Sequence, residues 1–387
     1  MPSMSVATSA RHSLADTARG RKSAPWRRHL PDGQRDWARG GLSFTVGLCV
    51  PTCGAAGIWG PSSLAAARLA EEELNRGNGI GGRPCELLVV DASDESPDVE
   101  RTLTELVLQN EVDSLVGMCI SSVRERIVGA VGGHIPFVYT CLYEGGDSTP
   151  GLFAIGETSA RQLRPAMAWL STHTPVRRWM LVGPDYIWPR VSHQIARRCI
   201  ADNGGQVVGE LIVPFGSTDY SEVFDRLRQN AADGILISMV GQDAVEFNRA
   251  FARSGLASRV LRLSCAIEEN QLLAIGAENT ENLHVVLGYF ASLQTDANLA
   301  FKERYAARFG ARAPTLNSIG QSLYEGLHFL AMMFEQSGGL SDASMPSHPR
   351  LAHPTARGAV YRGADAVFAP MYLARAEGHH FRVIARF

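Results

Sequence analysis

Trp179-Met180-Leu181-Val182-Gly183, followed by Pro184-Asp185-Tyr186-Ile187-Trp188-Pro189-Arg190, is the stretch that decides the fold. Its first five residues form a short apolar run ending in glycine, which reads as a buried strand. Residues 191–200 continue as an amphipathic helix, with Pro189 near its start where a missing N–H costs little. Strand, loop and helix in that order put the loop at the carboxyl end of a sheet strand, where open α/β sheets hold their ligands. Two aromatics, a carboxylate and a guanidinium on one such loop suit a small polar ligand. The same layout recurs at residues 116–122 and 239–243.

Working outward, strands and helices alternate from residue 44. Strands are expected at 44–50, 87–91, 114–117 and 137–139, with helices at about 61–76, 97–110 and 122–131. Alternation at this spacing implies parallel strands joined by right-handed crossovers. The pattern then restarts, with strands at 179–183, 207–213 and 234–240 and helices at 158–173, 190–203, 221–230 and 244–254. Helices follow at about 295–309 and 318–336, residues 337–356 read as a loop, and short strands are expected at 359–361, 371–374 and 381–385. The fold class is therefore α/β: two doubly wound parallel-sheet lobes with a ligand cleft between them.

A chain of 387 residues with 45% hydrophobic and 20% charged residues and 38 glycines suits two soluble α/β lobes. A net charge of −2 gives no global pull toward nucleic acid or an anionic membrane. No run of about 18 apolar residues occurs, so no membrane span is expected. The seven cysteines are odd in number and scattered, several within predicted strands, which favours a reducing compartment. Cys49-x3-Cys53 lacks the second ligand pair of a zinc site. Residues 1–43 carry eight Lys/Arg against three Asp and no apolar core of a secretory signal. They are expected to be a disordered basic leader on a cytoplasmic protein.

Gly77, Gly79 and Gly82 have the spacing of a dinucleotide fingerprint, but they follow a helix and precede a strand. That order makes them a helix C-cap and turn. Ser121 and Ser122 open a helix at a strand's carboxyl end, where hydroxyls and free N–H groups cap the helix or hold a ligand oxygen. Tyr139, Thr140 and Cys141 follow the strand at 137–139, and Tyr139 and Glu144 are expected to line the cleft or the hinge. Met239 and Gly241 end another strand, Gly241 permitting close backbone approach; Gln242 and Asp243 either bond a ligand or cap the next helix. The pair Glu268-Glu269 is expected to be solvated. No nucleophile–base pair, metal cluster or cofactor motif emerges, so neither an enzyme nor a cofactor is expected.

The segments LVGMCISSVR (115–124), YTCLYEG (139–145), GPDYIWPR (183–190) and VGQDAVEFNRA (240–250) resemble the type I periplasmic-binding-protein fold. Within it they are similar to the branch of the amide sensor AmiC and the urea and short-chain-amide transport receptors. The resemblance implies two lobes joined by three crossing strands: residues 44–156 plus 288–341, and residues 157–287 plus 342–387. It also implies that Ser121 bonds the ligand, Tyr186 packs over it, and Tyr139 lies nearby. Cys119, Cys141 and Trp188 stand where the amide sensor has other residues, two of them tyrosines, which changes the pocket's hydroxyls and volume. The function expected is a cytoplasmic sensor of an amide, urea or amino-acid-like ligand that signals to a regulatory protein. The alternative is the substrate-binding receptor of an ABC transporter for branched-chain amino acids, urea or amides, with a permease as partner; an amide hydrolase is the remote third. A homodimer is left open.

Overall fold

The computed structural model describes residues 42–93, 96, 98–337, 350–351, 355–358, 360–362 and 365–387. The expected leader falls almost wholly outside these residues, as does most of the expected loop at 337–356.

The first sheet is built from β1 (Phe44–Val50), β2 (Cys85–Asp91), β3 (Ser114–Gly117), β4 (Phe137–Tyr139) and β5 (Leu152–Ala154). All pair in parallel in the order β2-β1-β3-β4-β5. Their crossovers carry α1 (Gly60–Arg76), α2 (Val99–Leu108) and α3 (Ser121–Val131). β3 is buried along its whole length, because helices cover both faces of a parallel sheet. β2 is one of the two edge strands, and its Leu88 and Val89 stay 36% and 41% exposed.

The chain then crosses to a second lobe. There it forms α4 (Ser159–His173), β6 (Arg178–Gly183), α5 (Ile187–Asp202), β7 (Gln206–Ile212), α6 (Ser221–Gln229), β8 (Gly234–Ile237), α7 (Gly241–Arg253), β9 (Leu261–Ser264), α8 (Glu269–Ile275) and β10 (Leu283–Leu287). The strand order β7-β6-β8-β9-β10 repeats that of the first lobe. In both, the winding reverses beside the lobe's first strand, between β1 and β3 and between β6 and β8. These two switch points are where a doubly wound sheet leaves a crevice at its carboxyl edge.

After β10 the chain returns to the first lobe as α9 (Asp296–Phe309) and α10 (Ser318–Ser337), and α10 packs along α1. Arg304 and Arg308 of α9 pair with Glu73 and Glu72 of α1 at 2.8 and 2.7 Å. A small antiparallel sheet follows, made of β11 (Arg350–Leu351), β12 (Val360–Arg362) and β13 (Asp365–Phe368). Then β14 (Tyr372–Glu377) and β15 (His380–Arg386) join the second sheet, β14 running antiparallel to β10.

The crossing segments are pinned together by buried charge. Arg357 donates to Glu157 beside α4 and to Glu325 on α10, both at 2.7 Å, and all three side chains are almost fully enclosed. Gly288 lies against Glu157 so closely that a Cβ there would sit 2.0 Å from its Oε1. Such a network contributes little net stability but is costly to break at one member.

Two expectations are corrected. Five strands, β5, β9, β10, β11 and β13, form where none was expected; β5 spans only three residues, β11 only two, and Arg262 interrupts the apolar run of β9. Arg262 is nevertheless fully buried, held by Asn248 and by the carbonyls of Asn279 and Glu281. Glu268 is not solvated but fully buried, because the loop after β9 faces the other lobe.

Candidate ligand site

On the first lobe, β3 ends at Gly117 and Ile120 takes an extended conformation that starts α3 without a side-chain cap. Ser121 is 3% exposed. Among the described residues its hydroxyl has no hydrogen-bond partner, and the N–H groups of Ser121 and Ser122 have no acceptor. The positive end of a helix with free donors is suited to a ligand oxygen. Cys119 and Cys141 frame this corner, and burial raises both thiols, so they act as neutral apolar walls.

Neighbouring candidates are committed elsewhere. The Tyr139 hydroxyl donates to the Cys119 carbonyl at 2.6 Å and the residue has no exposed surface. Thr140 Oγ1 donates to the Gly117 carbonyl at 3.3 Å. Both fasten the ends of β3 and β4 and thereby hold the Ser121 loop. Arg124, one turn beyond Ser121, is buried in an ion pair with Glu144, its guanidinium 5.2 Å from the centre of the Tyr139 ring.

On the second lobe, Tyr186 is the extended N-cap of α5 and stacks on Phe215 at 5.5 Å. Phe215 had no signal in the sequence, because it follows an edge strand 29 residues further along the chain. Trp188 is 1% exposed and its indole N–H has no acceptor among the described residues. Asp185 and Arg190 form an exposed ion pair at 2.5 Å that braces the loop. Met239 is buried, and Gly241 opens α7 at φ +55°. A Cβ on Gly241 would lie 1.8 Å from the Ala55 carbonyl oxygen of the first lobe. Gln242 bonds Glu246, and Asp243 accepts from the Gly216 N–H, so both serve the local fold.

Between the lobes lies Glu268. Its carboxylate caps α8 through the Gln271 backbone and accepts from the Ile319 N–H of α10 at 3.1 Å. Its Oε1 is buried without a partner among the described residues. Burial above all, with the nearby Glu269 and Glu157 adding to it, holds this carboxyl well above the ordinary range. The structure thus places Ser121, Ser122, Cys119 and Cys141 at the carboxyl edge of the first lobe's sheet and Tyr186, Trp188, Met239 and Gly241 at that of the second; α3 and α5 touch. A separate cavity of about 610 Å³, lined by Gly77, Asn78, Gly82 and Phe334, lies at the turn from α1 into β2, the amino end of the sheet. It is remote from every loop just described.

Residues 43–379 match the model of a family described as periplasmic binding protein. A curated relative, "Leu/Ile/Val-binding protein homolog 6" of Brucella melitensis, is 25% identical over 310 residues, covering 77% of each chain. Among solved structures, a solute-binding protein of an ABC transporter from Rhodopseudomonas palustris, in complex with p-hydroxybenzoic acid, superposes with a TM-score of 0.80 at 19% identity. That match covers 89% of this chain and 97% of the other. The branched-chain amino acid transporter substrate-binding protein LivJ of Streptococcus pneumoniae, in complex with isoleucine, gives 0.75 at 16% identity over 89% and 98%. The relatives are binding proteins, not enzymes.

Proposed function

The chain belongs to the periplasmic binding protein family, and from that premise we propose that it is the substrate-binding receptor of an ABC transporter, closing two lobes on a small carboxylate that also carries a hydrogen-bond donor. One observation carries this reading. Among the described residues the first lobe brings the Ser121 hydroxyl and the N-terminal N–H groups of α3, while Glu268 of the second lobe brings a buried carboxyl oxygen, Oε1, that has no partner. A branched-chain amino acid meets both requirements, through its carboxylate and its ammonium group. So does 4-hydroxybenzoate, through its carboxylate and phenol. The names of the relatives support the first, and the solved structures with aromatic acids support the second.

Ligand favours closure only by binding the closed form better than the open one. The sensor reading shares this cleft and differs in the partner, a regulatory protein instead of a permease. The relatives' names favour the receptor. Among the described residues no helix is long and apolar enough to cross a membrane.

Calorimetry and thermal shift with L-leucine, L-isoleucine, 4-hydroxybenzoate, benzoate, acetamide and urea test the proposal. A ligand at 100 times its Kd raises stability by about 2.7 kcal/mol. An amino acid or hydroxybenzoate should give that shift. Benzoate, which lacks the donor for Glu268, should bind more weakly than 4-hydroxybenzoate. Binding of acetamide or urea alone would refute the carboxylate reading.

A further inference from the structure

The short helix Ala55–Trp59 follows β1 and so belongs to the first lobe, yet it is docked on the second. Trp59 is 2% exposed, and its Nε1 donates to Gln271 Oε1 at 3.3 Å. Asn270 Nδ2 donates to the Ile58 carbonyl at 2.9 Å. Gly241 meets the Ala55 carbonyl so closely that no side chain fits between them.

Gln271 stands at the centre of this contact with no exposed surface. Its Oε1 also accepts from the Glu268 N–H at 2.9 Å, and its Nε2 donates to the Gly241 carbonyl at 3.2 Å. One amide therefore ties the loop after β8, the loop after β9 and the corner of the opposite lobe. Both ends of the amide are satisfied by protein groups alone, so the contact needs no ligand to complete it.

We propose that this junction is a clasp that biases the open–closed equilibrium of the lobes toward the closed arrangement, with Gln271 as its positioning residue. The clasp keeps Glu268 and Gly241 in place while the donors at Ser121 remain free. Ligand then enters a site whose second wall is already set, so the closed form carries less of the population penalty that a receptor open at rest incurs. Only this consequence rests on the receptor reading; the clasp itself does not.

Hydrogen exchange and small-angle scattering on the full chain, without any ligand, test it. In Gln271→Leu, amide exchange should rise at least tenfold at residues 55–62 and 241–245 while residues 178–183 and 234–237 keep wild-type protection, and the radius of gyration should increase. Trp59→Phe loses the N–H but keeps the ring's bulk, so the same pattern should appear at smaller amplitude. It also serves should Gln271→Leu fail to fold. Exchange rising uniformly across both lobes would reduce Gln271 to an ordinary core residue and overturn the clasp. An unchanged radius of gyration in both variants would do the same.

Discussion

The N-terminus of α3 in the first lobe and that of α7 in the second occupy equivalent positions, each following the third strand of a sheet with the same order. They are used in opposite ways. At α3 the Ser121 hydroxyl and the first N–H groups have no partner among the described residues. At α7 the Gly241 carbonyl is bonded to Gln271 and its α carbon is pressed on Ala55. Topology makes two equivalent helix ends; one carries a serine hydroxyl with no partner among the described residues, and the other is packed against the opposite lobe.

The largest effect that could break this comparison lies in the hinge that relates the two ends. Arg357→Met leaves Glu157 and Glu325 buried without their shared cation, and should cost about 3–5 kcal/mol in urea denaturation. A loss below about 1 kcal/mol would mean the crossing segments are held by other contacts.

Next comes the open end itself. Ser121→Ala should leave the denaturation midpoint unchanged, because the hydroxyl has no partner among the described residues. A hydrogen bond to a charged ligand group contributes about 1.5–3 kcal/mol, so affinity for the carboxylate found in the screen should fall roughly ten- to a hundredfold. Wild-type affinity in this variant would remove α3 from the site.

A smaller effect is set by pH on the packed side. Burial pushes the Glu269 carboxyl from 4.5 up to about 7, against the lowering effect of the Ala291 N–H that it accepts at 2.6 Å. Its residue retains some exposed surface, but Oε2 is enclosed. With the folded-state pKa raised, its stabilising contribution is complete below pH 4.5 and is lost as pH rises through about 7. Thermal melts of Glu269→Gln should therefore show a shallower decline across that window than wild type. Parallel curves would show that Glu269 does not carry the effect.

The smallest effect belongs to the loop that decides the fold. The Asp185–Arg190 pair is solvent-exposed, so Asp185→Asn should leave the melting temperature and ligand affinity within experimental error. A clear drop in affinity would mean that the pair orients Tyr186.

The loops at the carboxyl ends of the strands were legible in the sequence because strand–loop–helix units announce themselves in apolar runs and helix starts. Ser121, Tyr186, Trp188 and Gly241 all stand at such junctions. Glu268 was misread for the same reason: Arg262 disguised β9, and without that strand the acid pair looked like a solvated helix start. Tyr139 shows the converse, since its position marked it as a cleft residue while its hydroxyl is spent on the Cys119 carbonyl. Phe215 and Gln271 carried no pattern at all; their partners, Tyr186 and Trp59, lie 29 and 212 residues away.

The sequence by itself determined two doubly wound lobes, because buried parallel strands and amphipathic helices each impose a local period on the chain. It also placed the loops at the carboxyl ends of the strands. Only the tertiary structure decided which polar groups on those loops remain unpaired. Whether a donor such as Ser121 or an acceptor such as Glu268 is free depends on what the opposite lobe brings against it, and no local pattern encodes that.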